Sequence, residues 1–269
     1  TGGVFIVGSA LVGSVIALVM AQKLSTQACL LLMTFVFYMF AGLMDDIIKI
    51  RGHHNEGLTP RRKLFLQIAI ALLPALYMTV TGGTTVSFGA LTINFGWLYP
   101  LFAIFLMVGV SNAVNLTDGL DGLAASNMVV SLVACVIIAM ISGNTEIAII
   151  SAAIAGATLG FLYFNKYPAK VFMGDTGSLA LGGVLGAIAV MGKFELWLIP
   201  IGIIYMGETL SVMIQVASFK LTGNRIFRMT PIHHHFELGG WKETKVVAVF
   251  TAVTLIFSAC AVVLYRFLY

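Results

Sequence analysis

The stretch LYPLFAIFLMVGVSNAVNLTDGLDGL, residues 98–123, begins as an apolar run and ends in a cluster of polar side chains. On a helix, Asp118 and Asp121 share a face because they lie three positions apart, and Asn115 lies one step further back. A carboxylate at bilayer depth costs about 3 kcal/mol, so it normally marks a functional site. Gly119 and Gly122 leave space for a bulky ligand to approach the backbone. The alternative is a polar helix end that an aspartate merely caps.

The composition of the whole chain predicts a polytopic membrane protein. Of its 269 residues, 59% are hydrophobic and 10% are charged, whereas soluble domains carry about 25% charged residues. We expect one all-α domain, residues 1–269, in which nine apolar runs cross the bilayer as helices. The predicted spans are approximately residues 4–21, 28–48, 64–80, 98–117, 124–141, 147–164, 179–191, 196–221 and 246–267.

Three local patterns refine this architecture. Alternating residues around Gly89 predict a short β-hairpin within residues 84–97, on the extracytoplasmic membrane surface. The seventh predicted span is short and rich in glycine, which favours close packing against neighbouring helices. The eighth is about 26 residues long, which predicts either a tilt or a break.

The positive charges lie almost entirely on one side of the predicted helices. If the spans alternate in direction, twelve of the fifteen Lys and Arg residues fall on one side, and Lys23, Lys193 and Arg266 fall on the other. The excess of positive charge assigns the first side to the cytoplasm. All five aspartates and all five histidines fall on that side as well, although they were not used to assign it. The sequence therefore predicts one polar site at the cytoplasmic membrane surface.

Packing five aspartates into one site creates a charge problem that constrains its chemistry. The carboxylates would repel one another, and a divalent cation together with basic side chains would relieve the repulsion. Mg²⁺ takes oxygen ligands, usually one or two carboxylates together with phosphate and water oxygens. The remaining aspartates are then expected to act as a base or to anchor a substrate.

Two further segments are candidates for binding an anion. The loop FMGDTGS at residues 172–178 holds two glycines before a predicted helix, and such a turn can offer backbone N–H groups to a phosphate. The alternative is that Asp175 or Ser178 only caps that helix. In the run of three histidines at residues 233–235, consecutive imidazoles point in different directions, which disfavours a shared metal. The arginines nearby favour an anion instead.

Other polar residues have ordinary explanations beside functional ones. His53 and His54 are expected to be loop residues. The basic cluster at residues 61–63 is expected to anchor the chain at the cytoplasmic surface, with a role towards a lipid phosphate as the alternative. Glu208, the candidate for a carboxylate at mid-depth, either forms a hydrogen bond within the bundle or belongs to an ion path.

In their order along the chain, these motifs resemble those of the polyprenyl-phosphate N-acetylhexosamine-1-phosphate transferases. These are integral membrane enzymes that attach a sugar phosphate to a lipid phosphate. The matching motifs are the Asp45-Asp46 pair, NLTDGLDG at residues 115–122, FMGDTGS at 172–178 and the basic histidine segment. The run PIHHHFE at residues 231–237 is similar to the signature of the MraY branch, the phospho-MurNAc-pentapeptide translocases. The resemblance covers essentially the whole chain.

The resemblance implies a Mg²⁺-dependent transferase in the inner membrane of a bacterium, with its active site on the cytoplasmic side. UDP-MurNAc-pentapeptide and undecaprenyl phosphate would give undecaprenyl-pyrophosphoryl-MurNAc-pentapeptide (lipid I) and UMP, in the first membrane step of peptidoglycan synthesis. The implied partners are these two substrates and the lipid bilayer. The resemblance leaves a homodimer open and gives no role to nucleic acid.

The family also suggests roles for individual residues. Asp118 or Asp175, or both, would bind Mg²⁺ at the diphosphate, and Asp45 would deprotonate or orient the lipid phosphate. Asp46 and Asp121 would complete the catalytic group. The substrate-binding residues would be Phe172, stacked on the uracil, together with Lys49, Asn115, Gly174, Ser178, His233, His234 and His235. Direct attack by the lipid phosphate and a covalent route through an aspartate both remain open.

One difference from the family concerns the beginning of the chain. The family has ten transmembrane helices, whereas nine are predicted here, and the opening residues 1–3 are similar to the end of the family's first cytoplasmic loop. We therefore expect the first helix and a basic part of that loop to be absent from this sequence.

Three other functions compete with this one. A paralogue that transfers GlcNAc-1-phosphate to polyprenyl phosphate is the nearest, and the histidine segment at residues 233–237 argues against it. A cation-coupled transporter would use Glu208 and the aspartates as ion sites, but it needs carboxylates that are reachable from both sides. A purely structural membrane protein would leave the one-sided aspartates unexplained.

Overall fold

The computed structural model describes residues 1–52 and 57–269, and it shows a helical membrane protein with one small sheet. The helices are α1 (Gly3–Met20), α2 (Thr26–Gly52), α3 (Pro60–Val80), α4 (Tyr99–Thr117), α5 (Leu123–Ile141), α6 (Thr145–Asn165), α7 (Gly174–Gly192), α8 (Leu198–Ile201), α9 (Ile203–Thr222), α10 (Ile232–Glu237) and α11 (Glu243–Leu268). The strands are β1 (Thr85–Phe88) and β2 (Leu91–Asn94). His53 and His54 lie outside the described residues.

The predicted membrane-spanning architecture is confirmed. Within the described ranges, eight helices are long and apolar enough to cross a bilayer. Counting Glu195–Ile201 and α9 together, although they are bent by 83° relative to each other, gives a ninth span. For the eighth predicted span, the sequence left a tilt and a break as alternatives. The structure shows the break.

The break lies at Gly202, whose backbone leaves the helical conformation with φ −102° and ψ 25°. The Gly202 N–H closes α8 by donating to the Leu198 carbonyl at 2.7 Å, and the Met206 N–H opens α9 by donating to the Gly202 carbonyl at 2.9 Å. Pro200, inside α8, has no N–H with which to extend the ladder. Proline and glycine within three residues explain why the apolar run does not continue as one helix.

The predicted β-hairpin is also confirmed. Phe88 pairs with Leu91 across a two-residue turn at Gly89, which has a φ of +58°. The Phe88 ring stacks on Trp197 with ring centroids 4.7 Å apart. The hairpin precedes α4, whose 19 residues span roughly 28 Å. Hairpin and Asp118 therefore lie at opposite ends of that helix.

Helix α7 forms the centre of the bundle and starts earlier than predicted. It begins at Gly174 rather than at about residue 179, so Asp175 and Ser178 lie in its first turns. The first residues of α7 have the composition of a loop. They are helical because a side chain of α2, that of Asp46, accepts hydrogen bonds from their backbone N–H groups. Nearly all of α7 is buried between α1, α2, α3 and α4.

Close packing of α7, predicted from its small residues, is confirmed. A Cβ atom added to any of three α7 glycines would overlap with a neighbouring helix. On Gly182 it would lie 2.7 Å from the Ser111 Cα of α4, and on Gly183 it would lie 2.4 Å from the Tyr38 ring of α2. On Gly186 it would lie 2.8 Å from the Met107 Cα. These distances are too short for real atoms, so glycine is what allows α2 and α4 to approach α7.

Replacing Gly182 by alanine should therefore destabilise the protein. Because the obstructing atom belongs to the α4 backbone, the helices must separate, at a cost of about 1–3 kcal/mol. The measurement is the apparent melting temperature in detergent, followed by intrinsic fluorescence. Gly156→Ala on α6 is the matched control, since a Cβ there meets nothing within 4 Å. Both variants gain the same helix propensity, so equal melting temperatures would contradict the close-packing argument.

Candidate active site

Asp175, in the first turn of α7, is the point at which three other helices meet. Its Oδ2 lies 3.0 Å from Lys49 Nζ of α2 and 2.8 Å from Lys63 Nζ of α3. Its Oδ1 accepts a hydrogen bond from Asn115 Nδ2 of α4 at 3.0 Å. Two ammonium groups and an amide thus share one carboxylate, which stabilises its charged form.

Asp45 adds a second carboxylate to the same group. It is buried near the end of α2, and its Oδ2 lies 2.6 Å from Lys49 Nζ. Its Oδ1 accepts a hydrogen bond from the Leu58 backbone N–H at 2.8 Å. A Cβ on Gly57 would lie 2.6 Å from either Asp45 oxygen, so glycine is needed where this segment passes the carboxylate.

Asp46 holds the start of α7. Its Oδ1 accepts from the Asp175 N–H and its Oδ2 accepts from the Thr176 N–H, both at 3.1 Å. These N–H groups are among the four at a helix start that have no partner within the helix, and the carboxylate also complements the positive helix end. Gly174, with a φ of +68°, passes so close that a Cβ would lie 2.7 Å from Asp46 Oδ2. Asp46 therefore fixes the position of Asp175.

These three aspartates could hold a metal ion. Asp45, Asp46 and Asp175 each offer an oxygen, and these oxygens lie within 4.8 Å of one another. A set of carboxylate oxygens suits a hard divalent cation. The family resemblance implies Asp118 or Asp175, or both, as metal ligands, which stays a prediction. The structure groups Asp175 with Asp45 and Asp46, and Asp118 is not a member of that group.

Asp118 lies next to the cluster, in the turn between α4 and α5. Burial, together with the nearby Asp175, Asp46 and Asp121 carboxylates, raises the pKa of Asp118 to about 7. A cation that approached this side of the cluster would favour the charged form of Asp118. The residue is thus available to a positively charged ligand, although it lies outside the three-aspartate group.

Asp121, predicted to belong to the catalytic group, lines the same recess as Asp118 and also bonds to two other segments. Its Oδ2 accepts from the Ala169 N–H at 2.8 Å, and its own N–H donates to Glu243 Oε1 at 2.6 Å. These bonds tie the α4–α5 turn to the α6–α7 loop and to α11. The geometry therefore gives Asp121 a role in holding the turn that carries Asp118.

Two recesses lie on either side of the Asp175–lysine pairs. The first, of about 640 Å³, is called the lysine recess, and its lining includes Asp45, Lys49, Leu58, Lys63, Gln67 and Asn112. The second, of about 320 Å³, is called the aspartate recess, and its lining includes Asn115, Asp118, Asp121, Phe172, Gly174 and Asp175. Phe172 is 68% exposed and free to stack on a flat ligand. Ser178, by contrast, is buried and accepts a hydrogen bond from Asn115 at 2.8 Å.

The three consecutive histidines have three different partners. His233 is buried, and its Nδ1 lies 3.0 Å from Glu208 Oε1. His234 Nδ1 lies 2.7 Å from Glu237 Oε2, and His235 Nδ1 accepts from the Arg228 N–H at 3.2 Å. His234 and His235 are half-buried, so their remaining edges are open to a ligand.

Lys63 is the site residue that sequence reasoning missed, because it was grouped with Arg61 and Arg62 as a surface anchor. A signal was available. Lys63 and Gln67 are four positions apart and so share a helix face. Gln67 is buried and bonded to Asn112, whose Nδ2 donates to Gln67 Oε1 at 3.0 Å. A lysine at the edge of an apolar run, with helical spacing to a glutamine inside that run, indicates an inward-facing polar stripe rather than an anchor.

Comparison with known proteins gives consistent matches. Glycosyl transferase family 4 matches residues 28–193. A phospho-N-acetylmuramoyl-pentapeptide-transferase of Halalkalibacterium halodurans is 48% identical over 266 residues, which cover 98% of this chain and 82% of that protein. Proteins of the same description from Clostridium beijerinckii and Geobacillus kaustophilus are 49% and 50% identical, covering 89% and 87% of this chain and 74% of each relative.

The acidic cluster generates a binding prediction. Asp175→Asn should weaken binding of Mn²⁺ to the purified protein at least tenfold, or about 1.4 kcal/mol, because one charged oxygen ligand is lost. Electron paramagnetic resonance of the free ion measures the affinity. The control is Glu146→Gln, since Glu146 accepts a hydrogen bond from Ser25 at the opposite end of the bundle. If both variants bound Mn²⁺ as tightly as the unmodified protein, the cluster would not be the metal site.

Proposed function

This chain belongs to glycosyl transferase family 4, and on that premise we propose that it transfers phospho-MurNAc-pentapeptide from UDP-MurNAc-pentapeptide to undecaprenyl phosphate. The products are lipid I and UMP. The chain is a multi-pass enzyme of the bacterial inner membrane. The excess of positive charge at the end of the bundle that holds the aspartates supports a site on the cytoplasmic side.

One observation carries the proposal, namely that the Asp175–lysine pairs lie between two recesses. A transferase of this kind must bring an anionic lipid phosphate and an anionic nucleotide diphosphate together. Lys49 and Lys63 line one recess, Asp175 lines the other, and salt bridges of 3.0 and 2.8 Å connect them. Groups from both substrates could therefore reach the same few atoms.

The lysine recess suits the lipid phosphate. Lys49 and Lys63 supply positive charge, and Asp45 lies beside them to accept a proton or to orient the phosphate. Leu64 lines the same recess, and the next residue, Phe65, is exposed on α3. An apolar tail could follow this side of α3 into the bilayer while its phosphate stays in the recess.

The aspartate recess suits the nucleotide. Phe172 offers an exposed aromatic face for the uracil, and Asn115 and Gly174 lie in the same lining. His234 and His235, with open imidazole edges, are proposed to contact the sugar phosphate or the muramoyl portion. Asp118 faces this recess as well, where a cation bound to the diphosphate would meet it.

Asp45, Asp46 and Asp175 would hold Mg²⁺, with Asp118 as a further ligand from the aspartate recess. When bound, the ion supplies charge neutralisation at the diphosphate. Asp46 can bind a metal through Oδ1 while it caps α7, because Oδ1 accepts one hydrogen bond, from the Asp175 N–H, and keeps a second lone pair. Its Oδ2 accepts from both the N–H and the hydroxyl of Thr176. An oxygen of the lipid phosphate forms a bond to the β-phosphorus of the nucleotide sugar, and the bond from that phosphorus to the oxygen of UMP breaks. Lys49 and Lys63 offset the negative charge that accumulates between the substrates.

Substrate choice tests the function. With undecaprenyl phosphate in detergent and Mg²⁺, UDP-MurNAc-pentapeptide should release UMP and form a lipid-linked product, and UDP-GlcNAc should not. Asp175→Asn should lower kcat by about 100-fold or more, because transition-state charge stabilisation is lost. EDTA should abolish turnover, and added Mg²⁺ should restore it. Preference for UDP-GlcNAc would instead identify the GlcNAc-1-phosphate transferase.

An assay without undecaprenyl phosphate distinguishes direct attack by the lipid phosphate from a covalent route through an aspartate. We expect no release of UMP from UDP-MurNAc-pentapeptide alone, because the cluster carboxylates are held by ammonium and N–H donors, which lowers their nucleophilicity. The measurement is a rapid-quench time course at enzyme concentrations comparable with substrate. One equivalent of UMP per enzyme, formed before the lipid is added, would establish a phospho-aspartate intermediate instead.

A further inference from the structure

A buried acid–imidazole pair lies behind the aspartate recess. Glu208, in α9, and His233, in α10, both have side chains that are at most 1% exposed. Glu208 Oε1 lies 3.0 Å from His233 Nδ1, and Glu208 Oε2 accepts from the His233 backbone N–H at 3.4 Å. Each carboxylate oxygen therefore faces a donor on the same histidine.

This pair fixes the orientation of the imidazole. An ionised carboxylate only accepts hydrogen bonds, so opposite Nδ1 it selects the tautomer in which this nitrogen carries the proton. A glutamine at position 208 would place its NH₂ group opposite one of the two N–H donors, unless the imidazole moved its proton to Nε2. The carboxylate therefore holds this tautomer, which a glutamine of the same size does not.

The other edge of the imidazole abuts the turn that carries Asp118. His233 Nε2 is buried and has no hydrogen-bond partner among residues 1–52 and 57–269. A Cβ on Gly119 would lie 2.4 Å from that Nε2 and 2.8 Å from Cε1. Gly119 itself lines the aspartate recess, so only one thickness of backbone separates His233 from the nucleotide site.

We propose that Glu208 is a positioning residue of the transferase, which holds the His233 imidazole against Gly119 and so sets the position of the Asp118 turn. This inference rests on the proposed function. It connects α9, just beyond the break at Gly202, with the histidine segment and with the turn between α4 and α5. Glu208, a carboxylate inside an apolar run, thus has a positioning role at the site rather than a place in an ion path.

Two variants displace the imidazole from opposite sides. Glu208→Gln removes the matched acceptor, and Gly119→Ala pushes the ring away while leaving Glu208 and His233 in place. Each should lower kcat by about 10–100-fold, the effect expected of a displacement near 1 Å. The KM for undecaprenyl phosphate should change little, because that substrate is assigned to the lysine recess. The double variant should be no slower than the more affected single variant, since both act on one ring.

Two controls separate positioning from stability. Gly207→Ala, next to Glu208 on α9, has no atom within 4 Å of the new Cβ and should leave kcat unchanged. Glu195→Gln alters a buried acid at the opposite end of the bundle, where Lys193 Nζ and the Tyr99 hydroxyl bond to it at 2.8 and 2.6 Å. It should lower the melting temperature without lowering kcat per folded protein.

A spectroscopic measurement reports on the pair without any substrate. In protein labelled with ¹⁵N-histidine, the resonances lost in His233→Gln should show Nδ1 protonated, and Glu208→Gln should shift them. If the unmodified enzyme shows no transfer, the proposed function fails. If it does show transfer, and either folded Glu208→Gln or Gly119→Ala keeps kcat within twofold, the positioning role is overturned. If Glu208→Gln does not fold, Gly119→Ala alone decides the question.

Discussion

The close contact of α7 with α2 and α4 is the constraint on which the site depends. Gly182, Gly183 and Gly186 remove the side chains that would otherwise keep these helices apart. The three helices can then end together. Asp45 and Asp46 on α2, Asn115 on α4 and Asp175 on α7 therefore meet at one end of the bundle, although up to 130 positions separate them in the chain. In a bilayer, where apolar burial drives helix association weakly, such close packing carries much of the stabilisation.

The electrostatics of the cluster suit a cation and depend on helix geometry. Three carboxylates and two ammonium groups leave one net negative charge among the bonded residues. Isolated buried charges of this kind would be costly, and the pairing together with the N–H groups at the start of α7 makes the arrangement stable. Asp46 is central to both effects, because it orients Asp175 and also adds to the negative charge. A carboxylate that appears from the sequence to be catalytic thus has a structural function as well.

Much of the fold was predictable because each determinant was local. The nine apolar runs, the hairpin at Gly89 and the break near Pro200 follow from lengths, alternation and helix-breaking residues. The start of α7 was not predictable, because FMGDTGS has the composition of a loop and becomes helical only where Asp46 satisfies its N–H groups. That the aspartates gather at one end of the bundle followed from the alternation of the spans. Which of them bond to which lysines did not, because that depends on helix rotation about the long axis.

The partners of the residues around the site could not be predicted from the sequence either. The DGLDG spacing would place Asp118 and Asp121 on one face of a continuous helix, yet α4 ends before Asp118, and the Asp121 carboxylate bonds to the Ala169 N–H. Lys63 could be identified as unusual from its spacing of four residues to Gln67, and Glu208 from its apolar surroundings. Their partners come from segments 112 and 25 residues away, and that distance lies outside any sequence periodicity.

The two recesses that share the Asp175–lysine pairs also have a pharmacological consequence. A small molecule confined to either recess would compete with one of the two proposed substrates using a limited contact area. A compound with a flat head for Phe172, an anionic centre for Lys49 and Lys63 and a lipophilic arm along α3 would occupy both at once. Linking two weak fragments in this way can raise affinity by about 100-fold or more when the linker matches the separation. Such a compound would have contacts in both recesses. A single substitution in one recess would therefore weaken only that part of its binding.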